Sequence, residues 1–326
     1  MGVPPRAEHG AVGLSRVSVR FPRGTEPVDR VLERAGHDVF ERRIARYYGL
    51  RDTPTLAPDE RMEDLLAQAG REALAGRGAD VVLYAHSLDV QEFAIRPGFG
   101  GRLCAALGAA GAGFYGVSQI NCASLLRAVK VARRYHDRPG AGPGDRVLVL
   151  GGDQGSYDDS ARIIPRVTVA GDAAAAVIVH SPRSPESPRY RYLSGGALRD
   201  DRFHRNLRMT EKEQALYTKA CLGHVATVLH EAAARAGLRV TDLDWIMPNL
   251  TNALFWRNFC RAAGLDRDRV CLDLLPLRGH NYGIDALLAL QHADLAGRLR
   301  HGDRCALIAI GVGAYVEVVI LQVTGE

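Results

Sequence analysis

Two hydrophobic patterns alternate along the chain. Short runs of β-branched and aliphatic residues predict buried strands, and longer segments with apolar residues three or four positions apart predict amphipathic helices. The predicted strands cover residues 80–84, 146–150, 174–179, 245–247, 305–310 and 314–321. The predicted helices cover residues 63–75, 124–135, 223–236, 252–263 and 284–296. Such alternation predicts an α/β fold in which helices connect parallel strands.

The sequence also repeats itself on either side of a proline-rich stretch at residues 181–188, SPRSPESP. Before and after this stretch a helix is followed by a short loop with an aspartate, Asp80 or Asp244, and then by a buried strand. Further on, GDRVLVLGG in the first half matches GDRCALIAIG in the second. The sequence therefore predicts two related halves, residues 1–185 and 186–326, that pack about a pseudo-twofold axis.

Two reactive side chains occupy matching places in these halves. Cys122 lies 22 residues before Gly144 of the first GDR, and His280 lies 22 residues before Gly302 of the second. Counted in this way the two residues are equivalent, and each precedes a predicted helix. If the helix beginnings converge where the halves meet, a thiol and an imidazole come together as nucleophile and base.

Composition narrows the class of protein without choosing its chemistry. The chain has 326 residues, 47% hydrophobic and 24% charged, which excludes disordered, collagen-like and disulfide-scaffold proteins. The net charge of +5 is spread along the chain, so we expect no nucleic-acid partner, although a basic face suits an acidic protein. Glycines and a central glutamate interrupt the longest apolar stretch, residues 305–323, so we expect no membrane span.

The cysteines distinguish one candidate from five others. The six cysteines include no CxxC pair, and the N-terminus lacks a signal-sequence pattern, so we expect a reducing cytoplasm. Cys122 directly precedes a helix, where free backbone N–H groups favour a thiolate. The other five lie inside strand or helix patterns and are predicted to be core residues: Cys104, Cys221, Cys260, Cys271 and Cys305. No motif indicates a metal or a permanently bound cofactor.

Several segments, in order, resemble the thiolase superfamily and within it the ketoacyl-acyl-carrier-protein synthase III branch. They are YYGLRDTPTLAPDERMEDLLAQAGREAL, INCAS, VAGDAAAAVIV, PNLTNALFWRNFCRAAGLDRDRV, GHNYGIDALLAL and GVGAYVEVVIL. The resemblance implies a five-layer αβαβα sandwich, a homodimer, and a cysteine that takes an acyl group from a thioester. It assigns this role to Cys122 and an oxyanion hole to the backbone N–H groups of Cys122 and Gly313.

The sequence departs from that branch at two site positions. The histidine of the HQAN segment is replaced by Asn249, and the asparagine of the GN motif is replaced by His280. Decarboxylative condensation needs two donors that stabilise an enolate. Transfer to a hydroxyl or an amine needs one base, and His280 alone could serve. The resemblance therefore gives Cys122, His280 and Asn249 as the candidate catalytic residues.

A third departure concerns the acyl donor. In the branch that the chain resembles, a tryptophan and an arginine bind the nucleotide of coenzyme A, but residues 43–50 read RIARYYGL. This change favours an acyl carrier protein over coenzyme A. The leading hypothesis is an acyltransferase of secondary metabolism, such as polyketide biosynthesis, that acts on a small-molecule acceptor. The alternatives are carbon–carbon condensation with a malonyl thioester, and a non-catalytic partner subunit, which the retention of Cys122 argues against.

Overall fold

The structure is a computed structural model that describes residues 12–88, 98–205 and 208–325. Its strands are β1 (Gly13–Leu14), β2 (Ser18–Arg20), β3 (Gly24–Pro27), β4 (Asp52–Thr55), β5 (Val81–Ala85), β6 (Gly113–Val117), β7 (Arg146–Asp153), β8 (Ile163–Ile164), β9 (Thr168–Val169), β10 (Ala173–His180), β11 (Tyr190–Arg199), β12 (Trp245–Met247), β13 (Arg304–Gly311) and β14 (Tyr315–Val323). Its helices are α1 (Val28–Arg34), α2 (Val39–Tyr47), α3 (Met62–Leu74), α4 (Phe99–Ala106), α5 (Ser124–His136), α6 (Asp159–Arg162), α7 (Glu211–Arg235), α8 (Ala253–Ala263), α9 (Leu275–Arg278) and α10 (Asp285–Leu295).

The fold is the predicted five-layer αβαβα sandwich. Alternate residues of β5, β7 and β10 pack on one side against α3 and α4, and on the other side against α5. Alternate residues of β13 and β14 likewise face α7 and α8 on one side and the central helices α5 and α10 on the other. The strands bury both faces, which explains why they are continuously apolar.

The internal repeat predicted from the sequence is present in the backbone. Strand β5 pairs in parallel with β7, and β12 pairs in parallel with β13. In each pair the chain that connects the two strands includes a central helix, α5 in the first and α10 in the second. Asp80 accepts a hydrogen bond from the backbone N–H of Arg146 at 2.8 Å. Asp244 accepts the same bond from the N–H of Arg304, also at 2.8 Å. The two GDR loops are therefore held by equivalent contacts.

The two halves share a sheet and a core. Within the described ranges the strand order is β12-β13-β14-β11-β1-β10-β7-β5-β6, and the short strand β1 joins the halves by pairing with both β10 and β11. The proline-rich stretch lies between the end of β10 and the start of β11. The division at residue 185 stays a prediction, because the central layer of α5 and α10 belongs to both halves.

Two elements of the second half go beyond the sequence prediction. Strand β11 was not predicted, and α7 begins at Glu211, twelve residues before its predicted start. The β11 sequence YRYLSGGALR contains two glycines, which weaken a strand pattern. A Cβ atom at Gly196 would lie 2.8 Å from the Val228 side chain, so the close approach of α7 to β11 requires the glycine. None of the helices in the three described ranges combines the length and the apolar character that a bilayer crossing needs.

Candidate active site

Cys122 lies at the junction of a tight turn and a central helix. A single 3₁₀ turn covers Asn121–Ala123, and α5 follows without a break at Ser124. The side chain is 4% exposed, at the end of a buried helix. Cys122 thus lies at the start of a central helix, where the sequence places it.

His280 is placed next to this sulfur by the other half of the chain. Its Nε2 lies 3.3 Å from Cys122 Sγ, and its side chain is fully buried. Its backbone carbonyl accepts a hydrogen bond from the N–H of Gly171 at 2.7 Å, which ties the histidine to the first half. The predicted proximity of thiol and imidazole is confirmed by this distance.

The equivalence of the two positions, however, is wrong in detail. Cys122 is the second residue before α5, whereas His280 is the fifth residue before α10. Counting back from the GDR loops hid this offset, because α10 and its following loop are together three residues shorter than α5 and its loop. The thiol and the imidazole therefore reach each other from different places in the repeated unit.

Asp285 completes the site, and sequence reasoning missed it. Its Oδ2 lies 2.5 Å from His280 Nδ1, and both side chains are buried. The same carboxylate accepts the backbone N–H groups of Leu250 at 2.6 Å and Asn281 at 2.7 Å. Asp285 is the first residue of α10, and an acidic residue at a helix start is ordinarily interpreted as a partner of the helix dipole. Its spacing of five residues from the histidine was the available signal.

The carboxylate and the sulfur determine the protonation of His280. Burial by itself lowers the pKa of the imidazole, but the Asp285 carboxylate and the Cys122 sulfur on its other side together raise it to about 10. Near neutral pH the imidazole is therefore protonated, with one N–H directed at Asp285 and the other at Cys122. Two contacts thus connect the three side chains, Cys122 to His280 and His280 to Asp285.

A glycine turn packs against the backbone that carries Cys122. Asn121 Nδ2 donates to the carbonyl of Val312 at 2.6 Å. A Cβ atom at Gly311 would lie only 2.2 Å from the carbonyl oxygen of Ile120, so only glycine permits this approach. The turn that contains Gly313 is thus adjacent to Cys122, although Val312 rather than Gly313 lines the cavity in front of the sulfur. The oxyanion hole of Cys122 and Gly313 N–H groups stays a prediction.

A cavity opens onto the sulfur, and the space within it and in its open mouth is about 790 Å³. Cys122, His280 and Asn249 line it together, and one face of α7 and one of α8 form its walls. Its remaining wall residues are mostly apolar or carry uncharged polar groups: Tyr48, Ile164, Val167, Tyr217, Thr218, Cys221, Leu222, Thr251, Asn252, Leu254, Phe255, Asn258, Ile310 and Val312. Arg166 adds a positive charge. Such a cavity suits an acyl chain and a small second substrate.

Comparisons with known proteins agree with this architecture. The C-terminal region of 3-oxoacyl-[acyl-carrier-protein (ACP)] synthase III matches residues 233–323. The β-ketoacyl-[acyl-carrier-protein] synthase III of Caulobacter vibrioides is 24% identical over 296 residues, which cover 85% of this chain and 89% of that protein. In sequence and in fold the chain is thus similar to ketoacyl synthase III proteins of the thiolase superfamily.

Solved structures share the whole fold. ChlB3, named as an acyltransferase, superposes with a TM-score of 0.82 at 18% identity over 96% of this chain and 98% of its own. The 3-oxoacyl-(acyl carrier protein) synthase III of Pseudomonas aeruginosa superposes with a TM-score of 0.79 at 21% identity over 97% of this chain and 99% of its own.

The ketoacyl synthase III-like site differs from the expected one at Asn249. Its Nδ2 donates to Asp285 Oδ2 at 3.2 Å, so one of its two N–H groups is bound to the carboxylate. Its backbone carbonyl accepts the indole N–H of Trp256 at 2.7 Å, which fixes the residue after β12. Asn249 therefore lines the cavity with its described hydrogen bonds directed to Asp285 and Trp256.

The segment that the ketoacyl synthase III resemblance assigns to coenzyme A, residues 43–50, forms the last five residues of α2 and the three residues after it. Tyr48 lines the cavity, whereas Tyr47 points outward and its hydroxyl accepts a hydrogen bond from Arg257 at 2.6 Å. Arg43 lies elsewhere on the surface of this helix. The donor is thus not decided by this segment.

The other five cysteines differ from Cys122 in their environment. All are buried and unpaired. Burial raises the pKa of Cys104 and Cys260, raises that of Cys221 and Cys271 to about 12, and raises that of Cys305 still further. Cys221 also lines the cavity, which the sequence did not predict. These thiols are protonated at neutral pH and are poor nucleophiles.

Proposed function

We propose that this chain is an acyltransferase that accepts an acyl group from a thioester on Cys122 and passes it to a hydroxyl or amine acceptor in secondary metabolism. The observation that carries the proposal is the contact of His280 with Cys122 on one side and with Asp285 on the other. A base that an acid orients against a nucleophile is the arrangement used for acyl transfer.

The first half of the reaction uses the proton that His280 holds. The Cys122 sulfur attacks the thioester carbonyl, a C–S bond forms to Cys122, and the bond to the donor thiol breaks. His280 gives its Nε2 proton to the departing thiolate. The acyl-enzyme then has a neutral imidazole whose Nδ1–H remains directed at Asp285.

The second half reverses these roles. The neutral Nε2 of His280 removes a proton from the acceptor hydroxyl or amine as that group attacks the acyl carbon. The C–O or C–N bond forms, the C–S bond to Cys122 breaks, and the proton stays on the imidazole beside the released sulfur. Enzyme and protonation state are restored without any further reagent.

The position of Asn249 supports transfer over condensation. Condensation of a malonyl thioester produces an enolate that needs hydrogen-bond donors in the cavity. One of the two N–H groups of Asn249 is bound to Asp285, whereas His280 Nε2 lies 3.3 Å from the sulfur, so His280 is the better placed donor beside Cys122. Losing one such donor costs about 3–4 kcal/mol in an oxyanion site.

The partners follow from the same comparisons. Relatives are named for an acyl carrier protein, and the net charge of +5 suits that acidic partner, so we take an acyl carrier protein as the donor and coenzyme A as the alternative. A homodimer in the cytoplasm remains part of the proposal, and six unpaired cysteines suit a reducing compartment.

Intact-mass spectrometry after incubation with a panel of acyl thioesters tests the proposal. We expect one acyl group per chain, and the added mass should disappear when a hydroxyl or amine acceptor is supplied, with the acylated acceptor as product. Both coenzyme A and acyl-carrier-protein thioesters belong in the panel. An enzyme that never acquires an acyl group from any donor would refute the proposal.

A further inference from the structure

The amide oxygen of Asn249 has no role in the reaction described so far. In the described part of the chain, Asn249 Oδ1 is buried and has no hydrogen-bond partner, and the residue is 1% exposed. A buried acceptor without a donor is costly, by about 1–3 kcal/mol. Since Asn249 lines the same cavity as Cys122 and His280, a substrate can supply the missing donor.

The orientation of this amide follows from its neighbour. Asp285 Oδ2 is a carboxylate oxygen and can only accept, so the group that faces it must be the Nδ2 of Asn249. The oxygen of the same amide is thereby left for another contact. His280 Nδ1 binds the same Oδ2, so the imidazole ring and the amide lie side by side on one carboxylate oxygen. His280 and Asn249 both line the cavity, so a base and a residue with an unpaired amide oxygen belong to the same wall.

We infer that Asn249 Oδ1 and His280 Nε2 together select a primary amine as the acceptor. This inference rests on the proposed acyl transfer and names its second substrate. An uncharged primary amine carries two N–H groups, of which one gives its proton to His280 while the other donates to Asn249. An alcohol has a single O–H proton, which His280 removes, and leaves Oδ1 unpaired.

The charges of the cavity restrict the class of amine that fits. Among the described lining residues Arg166 is charged and none is acidic, so nothing there stabilises an ammonium ion. The fitting acceptor is therefore an amine that is uncharged at neutral pH, such as an arylamine. In its reaction the C–N bond forms, the C–S bond to Cys122 breaks, the first N–H proton ends on His280, and the second stays in the amide product.

Aniline, N-methylaniline and phenol test this inference as a matched set. All three are uncharged at neutral pH and similar in size, but only aniline has two N–H groups. The purified acyl-enzyme is mixed with each compound, and loss of the acyl mass is followed in time. The three nucleophiles differ in their own reactivity, so each is also allowed to react in buffer with a simple thioester of the same acyl group. The rate with the acyl-enzyme is divided by this uncatalysed rate to give a corrected rate. We expect the corrected rate for aniline to exceed the other two by about tenfold, the effect of one hydrogen bond.

Asn249→Leu removes the acceptor atom while it preserves the approximate volume of the side chain. The variant also loses the Asn249–Asp285 hydrogen bond, so both rates can fall, but we expect the aniline rate to fall about tenfold further than the phenol rate. Loading of the acyl group shows that the variant is folded. If loading fails, the comparison of the three nucleophiles on the unmodified protein still tests whether the site prefers a primary amine.

The outcomes separate this inference from the proposed function. Equal corrected rates for the three nucleophiles, or equal losses for aniline and phenol in Asn249→Leu, would overturn amine selection and leave acyl transfer standing. An acyl-enzyme that none of the nucleophiles discharges, together with release of carbon dioxide from a malonyl thioester, would overturn the proposed function itself.

Discussion

Replacing Cys122 by alanine should abolish the acyl-enzyme. Cys122 is the cysteine that combines a helix start with a 3.3 Å contact to His280, whereas burial raises the pKa of the other five thiols. We expect the acyl mass increment to disappear with every thioester that labels the unmodified protein, and acyl transfer to fall to the uncatalysed rate. Intact-mass spectrometry of the two proteins side by side measures this.

Cys221→Ala is the matched control, because Cys221 lines the same cavity. Its thiol pKa is raised to about 12 by burial, so it should contribute no acyl adduct. The variant is expected to accept one acyl group, as the unmodified protein does. Full labelling of Cys122→Ala at another cysteine would show that the nucleophile is assigned to the wrong residue.

Replacing His280 by alanine should separate the two half-reactions. The discharge of the acyl-enzyme to an acceptor requires a base within reach of the attacking group, and loss of a general base typically costs about 10²–10⁴ in rate. Acyl loading should survive in part, because a cysteine is a strong nucleophile and the departing thiolate needs less help from a base than an attacking hydroxyl or amine does. Single-turnover measurements of loading and of discharge give the two rates separately.

Asp285→Asn provides a graded control for this prediction. Without the carboxylate the pKa of His280 falls, and the ring loses its orienting partner, so discharge should be slower than in the unmodified protein and faster than in His280→Ala. The rate of alkylation by iodoacetamide measures how much of Cys122 is thiolate, and so whether the proton is on the sulfur or on the imidazole. Alkylation should be fast at pH 6 in the unmodified protein and should increase with pH in His280→Ala. Identical alkylation profiles would contradict the role of His280.

Local patterns predicted much of the fold. Strand β12 was predicted at its observed bounds, and α5 and α10 within one residue at each end, because buried strands and amphipathic helices have periods that the sequence displays. Strand β11 was missed because two glycines weaken its pattern, and Gly196 serves a tertiary contact with α7 that no local pattern reveals. The early start of α7 was missed because its first turns are exposed and carry little apolar periodicity.

The site shows the same division. The repeat was sufficient to predict that Cys122 lies near His280. The offset of three residues between the two repeated units could not be predicted, because it depends on the helix bounds. Asp285 was missed because a helix-initial aspartate has a common structural explanation. Its actual partners, His280 and Leu250, lie five and thirty-five residues away in sequence. The direction of the Asn249 amide depends on Asp285 and was therefore equally hidden.

The central claim is that this site transfers an acyl group and does not condense it. The most direct measurement supplies the acyl-enzyme with a malonyl thioester labelled in its free carboxyl group and records labelled carbon dioxide, beside a parallel reaction with a hydroxyl or amine acceptor. We expect carbon dioxide release at least 10²-fold slower than discharge to the acceptor, because the site lacks one enolate donor. Rapid, acyl-dependent release of carbon dioxide with formation of a β-keto product would show that Asn249 and His280 perform condensation from exchanged positions.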